Sequence, residues 1–423
     1  MNILTVSSLY PNNVDLKHGI FVETRLRHLI QHFPEIKVTV IAPVPWFPFS
    51  SKKFGEYAKY AGVFEKEIRH NIEIYHPKYL VIPKIGMYIT PFFMSRAISK
   101  TIKKLIRTHA HAENSILSSQ LNQTESSFQS SQSEGRNLKT QPFDIIDGHY
   151  FYPDGVAIEI VASKFNIPFT CTARGTDINL IPQYPKALKM IRKVFQKSAH
   201  LMAVCQALSD EMMKLGADKN KITTLRNGVD LELFKASNEQ QQNDLKKELS
   251  ISNKLVVTVG GLVERKGHYL IIDAISQMNN TTLAIAGDGP DKKQLENQVN
   301  KLGLSNRVLF LGNLPQKEIN KWFQAADVSV LASSREGWAN VLLESMASGT
   351  PVVATKVWGT PEVVSSDTVG VLVERNVNSI KKGLITVLNK KIARFVVRQY
   401  AEEFDWYSTS YGQHEIFTNH AKQ

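Results

Sequence analysis

Short β-branched runs and longer helix-period stretches alternate along most of this chain, and the alternation starts twice. In the first half Ile3–Ser7 precedes an apolar-periodic stretch at Val22–Phe33, Lys37–Ala42 follows, and Asp144–Asp147 precedes Gly155–Phe165. In the second half Lys254–Gly260, Thr282–Ala286, Arg307–Leu311, Val328–Leu331 and Pro351–Ala354 are separated by helical stretches such as Tyr269–Met278 and Lys292–Leu302. Strands joined through a helix pair in parallel, and parallel strands are covered on both faces, so they read as continuous apolar runs. The pattern predicts an α/β protein with two parallel sheets. A length of 423 residues exceeds one ordinary core and agrees with two domains. The turn-like Asn227-Gly228-Val229-Asp230 and the polar, Gln-rich Ser237–Glu248 put the boundary near residues 230–236. The expected division is 1–230, 231–398 and a terminal segment 399–423.

The formal charge of +12 favours an anionic partner without choosing among nucleic acid, an acidic membrane and a phosphorylated substrate. Nucleic acid fits least, because the basic residues are not interleaved with aromatic ones as in a recognised binding module. Cys171 and Cys205 form neither a disulfide framework nor a metal pair, so a reducing compartment is expected. The start, Met1–Val6, runs directly into a strand without the pattern of a signal peptide. The most apolar stretch, Tyr79–Met94, is broken by Pro83, Lys84 and Pro91 and falls short of the roughly 20 residues a membrane span needs. The chain is therefore expected in the cytoplasm. A helix over 96–109 carries Ile98, Ile102, Leu105 and Ile106 on one side and Lys100, Lys103, Lys104 and Arg107 elsewhere. Such a helix is either an ordinary surface helix or a peripheral contact with the anionic inner face of a membrane. Residues 111–141, rich in Ser and Gln, read as a mobile insertion.

Three strand-end segments of the second half carry chemistry. Gly260-Gly261-Leu262-Val263-Glu264-Arg265-Lys266-Gly267 follows a strand and opens a helix, placing Arg265 and Lys266 where they can neutralise a diphosphate. It is neither a Walker A loop nor a complete Gly-x-Gly-x-x-Gly fingerprint, which weighs against a nicotinamide-dependent oxidoreductase. Ala286-Gly287-Asp288-Gly289-Pro290 ends a second strand in a Gly-rich turn, making Gly287 a donor-side candidate. In Ser334–Pro351, Glu336 sits in a loop and Glu344 lies eight positions later, on a helix starting near Asn340. Two carboxylates so separated can grip one extended ligand, while free amides around Gly337, Trp338, Ala339 and Asn340 face its anionic or hydroxyl-rich part. No Asp-x-Asp metal motif occurs, so no metal ligand is assigned and a divalent ion is not expected to be required.

With these residues in view, the sequence resembles retaining glycosyltransferases of the GT-B fold that carry a Glu-x7-Glu motif. The resemblance implies two facing Rossmann-like domains and a C-terminal helix crossing back to the first. It assigns Glu336 to the transferred sugar, Glu344 to the nucleotide ribose, and Arg265 and Lys266 to the donor diphosphate. Many members carry Arg where this chain has Gly261, and Arg265 is expected to supply that charge. In the first half, Lys17-His18-Gly19-Ile20-Phe21-Val22 resembles the loop that approaches the donor, with Gly19 allowing close contact. Asp147-Gly148-His149-Tyr150 resembles the segment whose second His reaches the reacting sugar. His149 is therefore the catalytic candidate, with Asp147 where an earlier His is frequent. Arg174-Gly175-Thr176-Asp177 resembles a His-Gly-x-Asp strand end, so Arg174 and Asp177 are candidates for acceptor binding or support. Lys17–Glu23 and Ala42–Pro48 are similar to enzymes of bacterial cell-surface polysaccharide assembly, including the teichuronic-acid type.

The expected reaction moves a sugar from a nucleoside diphosphate sugar, a UDP-sugar first, to a saccharide or lipid-linked acceptor, with retention and without a cofactor. The alternative is a noncatalytic nucleotide-sugar-binding protein of the same fold.

Overall fold

A computed structural model describes residues 1–46, 58–82, 86–124 and 142–421, with side chains omitted over 111–124. The first domain runs β1 (Asn2–Val6), α1 (Ile20–His32), β2 (Lys37–Ile41), β3 (Val44–Trp46), β4 (Lys66–Arg69), β5 (Ile72–Tyr75), β6 (Lys78–Leu80), α2 (Thr90–Thr124), β7 (Ile145–His149), α3 (Val156–Phe165), β8 (Phe169–Ala173), α4 (Thr176–Asn179), α5 (Pro185–Lys197), β9 (His200–Ala203), α6 (Gln206–Lys214) and β10 (Ile222–Thr224). Its eight-stranded sheet has the order β10-β9-β8-β7-β1-β2-β5-β4 and is parallel except for the antiparallel edge strand β4. Alternation along β1 divides two cores: Leu4 and Val6 face the layer of α2, α3 and α5, whereas Ile3 faces α1.

The second domain runs α7 (Glu239–Glu248), β11 (Lys254–Val259), α8 (His268–Ser276), β12 (Thr281–Ala286), α9 (Lys292–Lys301), β13 (Val308–Gly312), α10 (Gln316–Ala325), β14 (Val328–Leu331), α11 (Asn340–Ala347), β15 (Val352–Thr355), α12 (Thr360–Val363), β16 (Gly370–Val373), α13 (Val377–Lys390) and α14 (Arg394–Glu402). Its six strands are all parallel in the order β13-β12-β11-β14-β15-β16, with helices on both faces. In each sheet the strand order reverses at one point, between β1 and β7 and between β11 and β14, and that crevice is where such sheets bind ligands.

The strand expectations fall within one or two residues of the observed bounds. The helix expected over 96–109 is part of a longer one: α2 starts at Thr90 and reaches Thr124. Pro91, read as an interruption, sits in its first turn, where a missing N–H costs nothing. The start of the expected insertion continues this helix. The rest of it, 125–141, lies outside the described residues, as do Phe47, Pro48, Pro83 and Lys84.

The chain crosses between the domains twice, side by side, with the Val229 N–H donating to the Phe404 carbonyl at 2.9 Å. α14 packs on α11 of the second domain. Asp405 then caps α15 (Trp406–His420) by accepting the N–H groups of Tyr407 and Ser408. α15 packs on α1, and Phe417 is fully buried there. The return to the first domain thus occurs at Glu403–Asp405, a few residues beyond the expected 399, between the C-cap of α14 and the N-cap of α15.

Candidate donor and acceptor site

Lys266 follows β11 and Glu336 follows β14, so the two loops flank the crevice of the second sheet. Lys266 Nζ lies 2.6 Å from Glu336 Oε1. Ser333 Oγ donates to the same oxygen at 2.6 Å, and Arg265 Nη1 stands 3.9 Å away. Burial pushes the Glu336 carboxyl up, but the cations and the hydroxyl outweigh it and hold it below its ordinary value. Both strong bonds go to Oε1, which leaves Oε2 without a hydrogen-bond partner among the described residues. Glu344, in the second turn of α11, has no hydrogen-bond partner for its carboxylate among those residues, and burial raises it to about 7. No side chain caps the N-terminus of α11. A carboxylate with two cations and a hydroxyl thus stands beside the uncapped start of α11, which carries the second carboxylate.

The remaining second-domain candidates divide. Gly287 ends β12 with its Cα against the Gly260 carbonyl, so its place is set by strand packing. Gly337 has no room for a Cβ against the Arg174 carbonyl and allows the second domain to touch the first there. Trp338 is buried beside Phe404, 6.0 Å between ring centroids, with the Arg226 guanidinium 6.0 Å from its ring. It serves the interdomain contact, and Ala339 is buried behind it. Asn340 Oδ1 accepts from Asn227 Nδ2 of the first domain at 3.2 Å.

In the first domain His149 is fully buried. It shares strand parity with Ile145, whose side chain faces the α1 layer, so the imidazole points beneath the cleft floor and not out of it. Arg174 Nη2 lies 2.7 Å from His149 Nδ1, and Asp147 Oδ2 lies 3.0 Å from Nε2. Burial lowers His149 to about 4, so the ring is neutral and its Nδ1 accepts from Arg174, while Nε2 and Asp147 stand 3.0 Å apart without forming a hydrogen bond. Asp147 is pushed up by burial but held lower by His149, Arg25 and Arg174. Nδ1 of the catalytic candidate is thus held by a protein partner, whereas Nε2 is buried without a hydrogen-bond partner among the described residues. Arg174 also donates to Asn227 Oδ1 at 3.3 Å, and Asp177 accepts the N–H groups of Phe151, Arg174 and Gly175. Their geometry is that of support. Gly19 takes φ 65° as the cap of α1, with its Cα against the Leu9 backbone.

Sequence reasoning missed Arg25, Asn227, Ser333 and Asp154. Arg25 is a fully buried guanidinium on α1 that donates to the Leu225 carbonyl and to Asn227 Oδ1. Asp154 is pushed to about 7 by burial and holds the N–H and hydroxyl of Ser8 at the mouth of β1. Only Ser333, three residues before Glu336, had a local signal. Among the described residues no group of three His, Cys, Asp or Glu side chains is arranged to hold a metal, and no helix is long and apolar enough to cross a membrane.

Two Rossmann-like domains meeting at the carboxyl ends of their parallel strands give this chain the GT-B fold. Residues 239–404 match the family described as glycosyl transferases group 1, and residues 125–233 match glycosyltransferase family 4. The chain is 27% identical over 365 residues to TuaC of Bacillus subtilis (strain 168), named for teichuronic acid biosynthesis, a match spanning 85% of this chain and 82% of TuaC. Its fold is shared with HepE of Anabaena in complex with UDP-glucose, at a TM-score of 0.69 and 18% identity over 99% of this chain and 100% of HepE. It is also shared with sucrose-phosphate synthase of Thermosynechococcus elongatus, at a TM-score of 0.75 and 16% identity over 99% of each.

Proposed function

We propose that this chain transfers a sugar from a UDP-sugar, with retained anomeric configuration, to a saccharide or lipid-linked acceptor in bacterial cell-surface polysaccharide assembly. The open carboxylate oxygens of Glu336 and Glu344, flanked by Lys266 and Arg265, carry this conclusion. Glu336 Oε2 accepts from a sugar hydroxyl and Glu344 from the ribose. Lys266, Arg265 and the α11 amides receive the charge that develops as the anomeric C–O bond to the diphosphate breaks. The acceptor oxygen attacks the same face, and its proton passes to the departing phosphate oxygen. The positive charge at the leaving group comes from side chains, so no divalent ion is assigned a role. The likeness to TuaC supports the polysaccharide setting, and the UDP-glucose complex of HepE supports the donor class.

Incubation with a panel of nucleotide sugars and lipid-linked saccharides, read by mass spectrometry, is expected to show one UDP-sugar consumed and an α-linked product from an α-linked donor. Turnover should persist in a chelator. Nucleotide binding without transfer to any acceptor would replace this function with the noncatalytic one.

We further propose that the enzyme works in the cytoplasm at the inner face of the membrane, with the α2–α3–α5 layer against the lipid. α2 exposes Arg96, Lys100, Lys103, Lys104 and Arg107. α5 exposes Lys186, Lys189, Arg192, Lys193 and Lys197, and α3 exposes Lys164. Against these eleven cations the layer's described side chains include one carboxylate, Glu159, already paired with Lys193 at 3.0 Å. The excess of ten compares with +12 for the whole chain, so the rest of the surface is nearly balanced. At the cleft end the layer carries exposed Ile89, Phe92 and Tyr184, and Lys186 Nζ sits 5.5 Å from the Tyr88 ring centroid. Apolar tips beside cations suit a lipid interface better than a soluble polyanion. Vesicles rich in phosphatidylglycerol should sediment the protein at low salt, and neutral vesicles should not. Reversing Lys186, Lys189 and Arg192 to Glu should weaken that binding by roughly 10²-fold; unchanged sedimentation would remove this surface from consideration.

A further inference from the structure

Four hydrogen bonds converge on one carboxylate across the cleft. Glu362, on α12 of the second domain, accepts the Gln206 N–H at 2.9 Å and the Ala207 N–H at 3.0 Å, the opening amides of α6 in the first domain. Arg226 donates to it as well, from Nε at 3.1 Å and Nη2 at 2.7 Å. α6 has no side-chain cap of its own, since Cys205 stands at its N-cap. Its capping carboxylate is therefore supplied by the other domain. That arrangement is favoured by the helix dipole and by charge-assisted bonding to Arg226.

The neighbouring residue takes hold on the other side. Asn227 is 3% exposed. Its Oδ1 accepts from Arg25 Nη1 and Arg174 Nη1, each at 3.3 Å, while its Nδ2 donates to Asn340 at the start of α11. Arg174 continues to His149. Consecutive side chains of this linking segment thus grip α12 on the outside of the cleft and α11 on the inside. The segment leads directly into Val229, where the chain passes between domains. Opening the cleft breaks the bonds to Glu362 and Asn340 together, but leaves Arg25, Asn227, Arg174 and His149 joined within the first domain.

We propose that Glu362, Arg226 and Asn227 are positioning residues for the transfer step: Glu362 and Arg226 clamp the cleft shut, and Asn227 couples the closed donor helix to Arg174 and His149. This rests on the transfer reaction proposed above. None of the three touches the donor crevice carboxylates, so their loss should affect turnover more than donor binding.

The test uses the full chain, with the radius of gyration from small-angle scattering, steady-state kinetics and UDP affinity. Glu362→Ala is expected to enlarge the nucleotide-free particle and lower kcat about tenfold or more, with the donor KM within about threefold. Arg226→Ala should act in the same direction more weakly, and the double variant should lose less than the two single effects summed, because the Arg226 hydrogen bonds end on that carboxylate and only its contact with the Trp338 ring is independent of it. Asn227→Ala should lower kcat with the radius unchanged, separating coupling from clamping. If Glu362→Ala does not fold, Glu362→Gln carries the same comparison with the side chain's size kept. A nucleotide-free radius and a kcat both equal to wild type in the Glu362 variant would overturn the clamp. A kcat within about twofold of wild type for Asn227→Ala, or a fall matched by an equal rise in KM, would overturn the coupling. Failure of UDP to bind the wild type would count against the donor site, whereas the nucleotide-free radius judges the clamp regardless.

Discussion

Replacing Lys266 by alanine is expected to lower kcat/KM for the donor by about 10²–10³-fold, the usual cost of removing a preorganised charge from a leaving group. Lys266 serves two partners in turn. Before the donor arrives it fixes Glu336 Oε1 at 2.6 Å, which keeps Oε2 aimed at the sugar position. In the proposed reaction the same ammonium then meets the donor diphosphate. Alanine removes both, leaving Glu336 with Ser333 and a distant Arg265. Lys266→Arg keeps the charge but not the compact ammonium, so it should recover only part of the loss. Stability should follow with a defined sign. The folded Glu336 carboxyl is held below its ordinary value, so it contributes stability above that value and loses it as pH falls through the folded one. The alanine variant should therefore melt lower than wild type at neutral pH, with the gap closing in acid. A kcat/KM within about threefold of wild type would place the donor phosphates elsewhere.

UDP binding should release a proton, because Glu344 is raised to about 7 by burial without a compensating cation. Ribose hydroxyls donate more strongly to the ionised carboxylate, so affinity should rise with pH up to about 7 and level off above it. Calorimetry in two buffers of different ionisation heat measures that proton directly. Glu344→Gln should abolish the release and weaken UDP by about 10–100-fold through loss of the charge-assisted bonds. It should also stabilise the nucleotide-free protein. A raised folded value means that wild type loses stability as pH climbs from 4.5, the ordinary Glu value, to about 7, and glutamine has no such loss. The melting difference should be absent in acid and full above pH 7. Affinity independent of pH, with no proton released, would remove the ribose from Glu344.

The cluster of Lys266, Arg265 and Glu336 was legible because its signals are local. Gly-rich strand ends, the cations after β11 and the two glutamates on a loop and its helix all fall within single strand–loop–helix units. What stayed hidden depends on partners far apart in the chain. Glu362 meets Gln206 and Arg226 only through the facing of the two domains, and neither segment carries a recognisable pattern. Arg25 sits on the buried side of α1 among Val22, Leu26 and Leu29, where periodicity predicts an apolar residue. His149 was correctly placed at a strand end, but strand parity, not motif, decides where its ring points. Arg174 and Asp147, beside it, are the two first-domain positions at which this chain departs from the pattern it resembles. The substitutions form one buried contact set with the histidine between them.

The packing of α15 on α1 has a consequence for biosynthesis. Synthesis proceeds from the amino end, and a first domain ordinarily finishes folding while later ones are still being made. Here Ile416 and Phe417 fill the core formed by Val22, Leu26 and Leu29. On the ribosome the first domain must wait, with that apolar side uncovered, until the whole second domain has emerged. The later half of the chain is thus free to reach its native form earlier, and the half made first is completed by the segment made after both.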